Sequence, residues 1–198
     1  MDIPKLAILV PCMENVKSVF MYDMVQLVGH LLCTPVVQPK LLIRQSSILP
    51  RSRCQLVESA LEQGADYMFF IDSDMKFPKD IIHRLMAHKK QVVACLGAKK
   101  CEGAVPVIQY DFPKEKQTGL VETNSVATGC LLIHKSVFNK LPRPWFAFEE
   151  NKGEDVYFSD LCTKHGIHMF VDFDSSKLIG HIGQCVYTLD GPVHDITE

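Results

Sequence analysis

Five apolar residues in succession, Tyr67-Met68-Phe69-Phe70-Ile71, run directly into Asp72-Ser73-Asp74. The apolar run reads as a strand buried on both faces, the kind found inside a mostly parallel sheet. A strand interior does not readily hold two carboxylates, because ions there need partners. The acids therefore mark the strand's end. Residues two apart in an extended segment point the same way. Asp72 and Asp74 would then face one cleft beyond the carboxyl edge of the sheet, where ligands of open α/β sheets bind.

The segments around this point alternate. Leu6 to Val10 is a short apolar run closed by Pro11, and Lys40 to Arg44 looks like a second strand. Between them Phe20, Met24, Leu27, Val28 and Leu31 recur at helical spacing over Ser18 to Leu32. A second helix follows Leu49-Pro50-Arg51-Ser52-Arg53, with Leu56, Val57, Ala60 and Leu61 as its apolar stripe and Gly64 as its C-terminal cap. Lys79 to Lys90 reads as a third helix and Val92 to Leu96 as a further strand. This alternation predicts a parallel, right-handed α/β layer.

The second half departs from that rhythm. Val105 to Tyr110, Leu120 to Thr128 and Cys130 to Ile133 read as strands, with a polar loop at Pro113-Lys114-Glu115-Lys116. Pro142 to Phe146 is a rigid aromatic loop, Gly153 to Lys164 a helix, and His168 to Val171 a strand. The expected fold class is α/β: one domain over 1–198, with a mostly parallel central sheet flanked by helices and a smaller antiparallel element in the second half. A length of 198 residues suffices for one full core.

Lys and Arg number 21 against 23 Asp and Glu, a formal charge of -2. That balance offers no broad basic field for nucleic acid and no polybasic run for anionic lipid. None of the eight cysteines forms a Cys-x-x-Cys pair, and several lie in apolar stretches, so they read as small buried thiols in a reducing compartment. Leu6 to Val10 is too short for a signal-peptide core and no run is long enough to span a bilayer, so the expected location is cytoplasmic.

Two hard oxygen ligands with open positions suit Mg²⁺ or Mn²⁺. Such an ion bridges phosphate oxygens and carries the charge of a departing diphosphate. The spacing alone is weak, since Asp172-Phe173-Asp174 repeats it. That second pair is expected to be a surface turn with two solvated acids.

Arg51 and Arg53 stand near a helix start, where cations oppose the dipole. That cost points to a binding role or an ion pair with Asp72. The only tryptophan, Trp145, sits between Pro144 and Phe146 and could stack on a sugar or close the core. Among the histidines, His181 lies between Gly180 and Gly183 and is the candidate ligand. His83 and His88 fall on the polar side of a helix and read as solvated. Nothing nearby marks His165, His168 or His194.

Several of these stretches together resemble a GT-A-fold (Rossmann-like) glycosyltransferase, related to family-two enzymes of bacteria and large DNA viruses. The resemblance rests on Arg51, Arg53, Gly64-Ala65-Asp66-Tyr67, Phe69 to Met75 and Phe77-Pro78 in the first half. In the second half it rests on Ala127-Thr128-Gly129-Cys130-Leu131-Leu132-Ile133, Trp145-Phe146, Gly153-Glu154-Asp155-Val156-Tyr157-Phe158 and Ile179-Gly180-His181-Ile182-Gly183. It implies transfer of a sugar from a nucleoside-diphosphate sugar to a glycan or other hydroxyl-bearing acceptor, with Mn²⁺ or Mg²⁺ and inversion. Asp74 would ligate the metal, Asp72 would hold the ribose or assist the metal, and His181 would complete the shell. Asp155, or else Glu154, would be the general base. Pro11, Arg44, Arg51, Arg53 and Ser73 would lie near the nucleotide, Thr128 and Gly129 on the strand that passes the donor sugar, and Trp145 in the aromatic loop before the acceptor site. About 1–100 would be the nucleotide-binding half, and about 101–198 the acceptor and metal-completing half.

Other classes give different expectations. A haloacid-dehalogenase-like phosphatase also places Asp-x-Asp after a strand, but near the N-terminus and with Thr or Val two residues after the second acid. Here Met75-Lys76 follows. A non-catalytic nucleotide-sugar or glycan-binding module would keep the metal site and lack the base. A nucleotidyltransferase would want a Gly-rich N-terminal loop, which the sequence does not show.

Overall fold

Alternating strands and helices wind the first half of the chain into a layered sheet. The computed structural model describes residues 3–100, 117–183 and 186–193. In chain order the elements are β1 (Lys5–Cys12), α1 (Ser18–Cys33), β2 (Gln38–Gln45), α2 (Leu49–Glu62), β3 (Tyr67–Ile71), β4 (Met75–Lys76), α3 (Ile81–Ala87) and β5 (Val92–Ala94). There follow β6 (Leu120–Thr123), β7 (Cys130–His134), α4 (Lys135–Lys140), α5 (Glu154–Lys164), β8 (Met169–Asp172), α6 (Phe173–Ser176), β9 (Gly180–Ile182), β10 (Val186–Thr188) and β11 (Gly191–Val193).

The central sheet has 7 strands in the order β2-β1-β3-β7-β5-β8-β6. β1 runs parallel to β2 and β3, and β5 parallel to β8. β7 opposes both β3 and β5, and β6 opposes β8. The sheet is thus mostly parallel, with β7 and β6 reversed. A smaller antiparallel sheet, β11-β10-β9-β4, completes the expected α/β architecture.

Side-chain alternation builds a core on each face. From β1, Ala7 and Leu9 join α2 and α5 on one side, whereas Leu6, Ile8 and Val10 join α1 and α3 on the other. β3 splits likewise, with Met68 and Phe70 on the first side and Phe69 and Ile71 on the second. A strand clothed on both faces has no polar position to offer, which is why the run from 67 to 71 is continuously apolar.

Boundaries move in places. α2 begins at Leu49 with Pro50 in its first positions, so Arg51 and Arg53 lie inside the helix rather than before it. Gly64 ends α2 as expected: its φ is 74°, and its N–H donates to Leu61 O at 2.9 Å. The third helix contracts to Ile81–Ala87, and the strand from Leu120 stops at Thr123. The strand expected over Val105 to Tyr110 and the loop at Pro113 to Lys116 lie outside the described residues. Among the described residues, no helix is long and apolar enough to cross a membrane. Cys95, Cys130 and Cys162 are buried as expected, but Cys33 is exposed.

The reading of Asp172-Phe173-Asp174 needs correcting. Asp174 is exposed, but Asp172 is only 4% exposed. Its Oδ1 accepts from Ser175 N at 2.9 Å, capping α6, and its Oδ2 accepts from Ser175 Oγ at 2.7 Å. His88 Nε2 lies 2.8 Å from the same Oδ2, so His88 is not a solvated helix residue. His83 is also engaged, its Nε2 lying 3.0 Å from Thr34 O. Burial pushes the Asp172 carboxyl up, but the Ser175 and His88 bonds outweigh it and hold it below the ordinary 3.8.

A depressed carboxyl stabilises the fold fully above its unfolded value and loses that contribution as pH falls through the folded one. Asp172→Asn should therefore lower stability by about 1–3 kcal/mol near neutral pH. Urea denaturation should show a gap from wild type that is constant from about pH 7 to about pH 5 and narrows as the pH falls below about 4.

Candidate active site

β3 delivers Asp72 to the carboxyl edge of the sheet, and β4 begins three residues later. Asp72 N donates to Gly129 O at 3.1 Å, where the chain enters β7. A side chain at Gly129 would put its Cβ 3.3 Å from Asp72 Oδ2, so glycine leaves the carboxylate its room. Phe77 N donates to Asp23 Oδ2 at 3.0 Å, which ties the turn after the acid pair to α1.

Each acid of the pair has its own cationic partner. Arg53 Nη2 donates to Asp72 Oδ1 at 2.8 Å. Arg53 is 1% exposed, lies 5.4 Å over the Phe70 ring, and turns Nε toward Glu154 Oε1 at 3.5 Å. That second contact is ionic only, and among the described residues neither Nε nor Nη1 of Arg53 has a hydrogen-bond partner. A buried guanidinium with spare donors beside a cavity is poised for an oxygen-bearing ligand. Burial pushes the Glu154 carboxyl up, with Arg53 pulling partly back.

Asp74 meets His181 from the far end of the chain. β4 pairs with β9 so that Met75 lies opposite His181, and Ile182 N donates to Asp74 O at 2.7 Å. His181 Nε2 then stands 3.2 Å from Asp74 Oδ2. His181 Nδ1 lies 3.1 Å from Ala98 O. The ring thus lies between Ala98 O and the Asp74 carboxylate, with Nε2 on the side of the acid. That arrangement fits a divalent cation held by one oxygen and one imidazole nitrogen. Among the described residues no third His, Cys, Asp or Glu joins them, which leaves most coordination positions to water and phosphate. Lys100 Nζ also reaches Asp74 Oδ2, at 2.6 Å. Burial raises the Asp74 carboxyl, but the His181 and Lys100 hydrogen bonds overcome it and bring it to about 2.

Two cavities meet at this seam. One, of about 350 Å³, runs along Pro11, Cys12, Asn15, Lys17 and Ser46 to Ser73 and Asp74. The other, of about 130 Å³, is lined by Arg53, Thr128, Gly129, Glu154 and Asp155. Asp72 and His181 line both. A third cavity, of about 290 Å³, lies between Lys5, Gln38 and Gln63 and is lined by no acid, cysteine or histidine.

No protein-family model and no curated protein matches the chain. Solved structures do match. The protein A197 from STIV aligns with a TM-score of 0.64 and 20% identity over 94% of this chain and 91% of its own. GalNAc-T7, solved with UDP, GalNAc and Mn²⁺, aligns at 0.62 and 13% identity over 92% of this chain and 44% of its own. A mutant Drosophila β-1,4-galactosyltransferase 7, in complex with manganese, UDP-Gal and xylobiose, aligns at 0.54 and 14% over 91% and 71%. The chain has a GT-A fold.

Within this GT-A fold the expected site residues separate into three groups. Asp72, Asp74, His181, Arg53, Ser73, Thr128, Gly129, Glu154, Asp155 and Pro11 all line one or both of the two joined cavities. Arg44 and Arg51 are exposed and line neither. Trp145 is 3% exposed, donates from Nε1 to Leu141 O at 3.3 Å and meets Phe138 edge-on at 5.2 Å. Trp145 therefore closes the core and offers no face to a sugar. His165 bonds Leu161 O and His168 meets the Glu122 carboxylate, which the sequence did not mark. His194 lies outside the described residues.

Two residues at the GT-A site had no sequence signal. Asp23 looks like a helix-face acid, and Lys100 like half of an ordinary Lys99-Lys100 pair. Their roles appear only where the chain crosses itself.

Removing Arg53 would strand two buried or half-buried carboxylates. Arg53→Met should lower stability by about 3 kcal/mol at pH 7. Urea denaturation at pH 4 should show a smaller loss, because the Glu154 carboxyl, pushed up by burial, then carries less negative charge.

Proposed function

We propose that this protein is a glycosyltransferase that moves a sugar from a nucleoside-diphosphate sugar to an acceptor hydroxyl, with a divalent cation and with inversion. One observation carries the reading: two cavities joined at Asp72 and His181, with Asp74 at the join. The larger suits a nucleoside and the smaller a sugar ring, which leaves the diphosphate at the seam. About 1–100 then holds the nucleotide, and about 101–198 supplies the acceptor side and completes the metal site.

Asp74 and His181 would hold Mn²⁺ or Mg²⁺, which when bound supplies positive charge for the diphosphate leaving group. Thr128 and Gly129 form the floor under the sugar. Arg53, whose Nη1 is unpaired among the described residues, donates to a sugar oxygen while it keeps Asp72 in place. The smaller cavity carries Asp72, Glu154 and Asp155 against Arg53. That acidic excess favours a neutral, hydroxyl-rich sugar over an anionic one.

Asp155 takes the proton of the acceptor hydroxyl. The freed oxygen attacks the anomeric carbon from the face opposite the diphosphate, and the bond from that carbon to the diphosphate oxygen breaks. Asp155 stands in the first turn of α5 and lines the smaller cavity. Ser159 holds α5 in place: its hydroxyl donates to Asp155 O at 2.7 Å and accepts from Val126 N at 3.1 Å. The acid is thereby fixed to the segment that leads into Thr128.

A second reading, a non-catalytic nucleotide-sugar-binding module, draws support from one contact. Asp155 Oδ1 accepts from Val156 N at 2.8 Å, within its own helix. The two readings part on one variant. Asp155→Asn should cut sugar transfer by about 10²–10⁴-fold while donor binding persists. Donor binding that is the same in wild type and variant, with no sugar transfer by either, would favour the binding module. Asp74→Ala should abolish Mn²⁺-dependent release of nucleoside diphosphate from a panel of donor sugars, with the melting temperature little changed. Full metal-dependent release by that variant would refute the assignment.

A further inference from the structure

Lys100 touches the same oxygen that the cation would need. Its ammonium lies 2.6 Å from Asp74 Oδ2, the atom that His181 Nε2 approaches at 3.2 Å. The segment leaving β5 does two opposite things here. Ala98 O lies 3.1 Å from His181 Nδ1 and so orients the ring with Nε2 toward Asp74. Two residues later, Lys100 fills the position that this ligand faces. The lysine stem passes close to Gly183, where an added Cβ would lie 3.5 Å from Lys100 Cδ and 2.9 Å from Tyr187 Cε2. A side chain at 183 would crowd that path.

The charges explain why both cannot stay. Asp72 is already matched by Arg53, so Asp74 is the carboxylate left to offset new positive charge. An ammonium and a divalent ion on one carboxylate oxygen repel strongly in a partly buried site. A diphosphate reverses the balance, because its negative charges can serve both cations.

We propose that Lys100 is a displaceable counter-ion that makes cation binding at Asp74 depend on the diphosphate. The ammonium and the divalent ion exclude each other at Asp74 Oδ2 when the site is otherwise empty. When a diphosphate arrives, Lys100 leaves the carboxylate for a phosphate oxygen and the ion takes its place. Ion and diphosphate then bind cooperatively, and the coupling is reciprocal. This rests on the metal-site reading of Asp74 and His181 given above.

The test measures Mn²⁺ binding by the EPR signal of the free ion, for wild type, Lys100→Met and Asp74→Asn. Each is titrated with Mn²⁺ alone and with UDP, GDP, ADP and CDP in turn. The Lys100 side chain is 37% exposed, so the Met variant should fold, and a melting curve checks this. Lys100→Met should bind Mn²⁺ alone at least about fivefold tighter than wild type, and its gain in Mn²⁺ affinity on adding a diphosphate should shrink by a similar factor. If Asp74→Asn abolishes binding while Lys100→Met matches wild type in both conditions, the metal site stands and the proposal for Lys100 is overturned. If neither wild type nor Lys100→Met binds Mn²⁺ under any condition, the metal-site reading fails and the proposal falls with it.

Discussion

Two carboxylates at the end of a fully buried strand need counter-charges, and the surroundings of β3 are organised to supply them. Arg53 comes from α2, at the cost of burying a guanidinium with two nitrogens unpaired among the described residues. His181 comes from β9 and Lys100 from the segment after β5. Remove those partners and the strand could not keep Asp72 and Asp74 at the edge of an apolar core. The small antiparallel sheet is the price of one of them, since β4 and β9 must pair for the imidazole to arrive.

The split of the two acids also divides their tasks. Asp72 is tied to Arg53 and through it faces Glu154, so it belongs to the smaller cavity's acidic wall. Asp74 keeps Lys100 and His181 as partners on a side chain that is partly exposed. Neighbours of 20% identity or less share this fold, which is consistent with a scaffold set by buried strands and a few charges rather than by most side chains.

Features contiguous in the chain were readable from sequence, and features made by distant crossings were not. The run from Tyr67 to Asp74 announces both its burial and its end, so β3 and the acid pair were plain. The misfit of cations with a helix start pointed correctly to an ion pair between Arg53 and Asp72. His181 stood out only through flanking glycines and a family likeness, because its register with Met75 depends on a small sheet. Asp172 was misread because its partner His88 lies 84 residues away. Trp145 could have served either core or ligand, and only Leu141 and Phe138 decide the matter. The reversal of β7 between β3 and β5 left no trace in residue periodicity, since a doubly covered strand looks the same in either direction.

The contacts that Arg53 and His181 make with the two acids close over very different spans of chain. Arg53 and Asp72 are 19 residues apart, whereas Asp74 and His181 are 107 apart. Loop closure costs more as the loop lengthens, and distant contacts form late. A ribosome making this protein releases the first pair together with its helix and strand. It must then add the greater part of the sheet before an imidazole exists for the second. One part of the centre is thus in place early, and the imidazole joins it only after the intervening strands have been made.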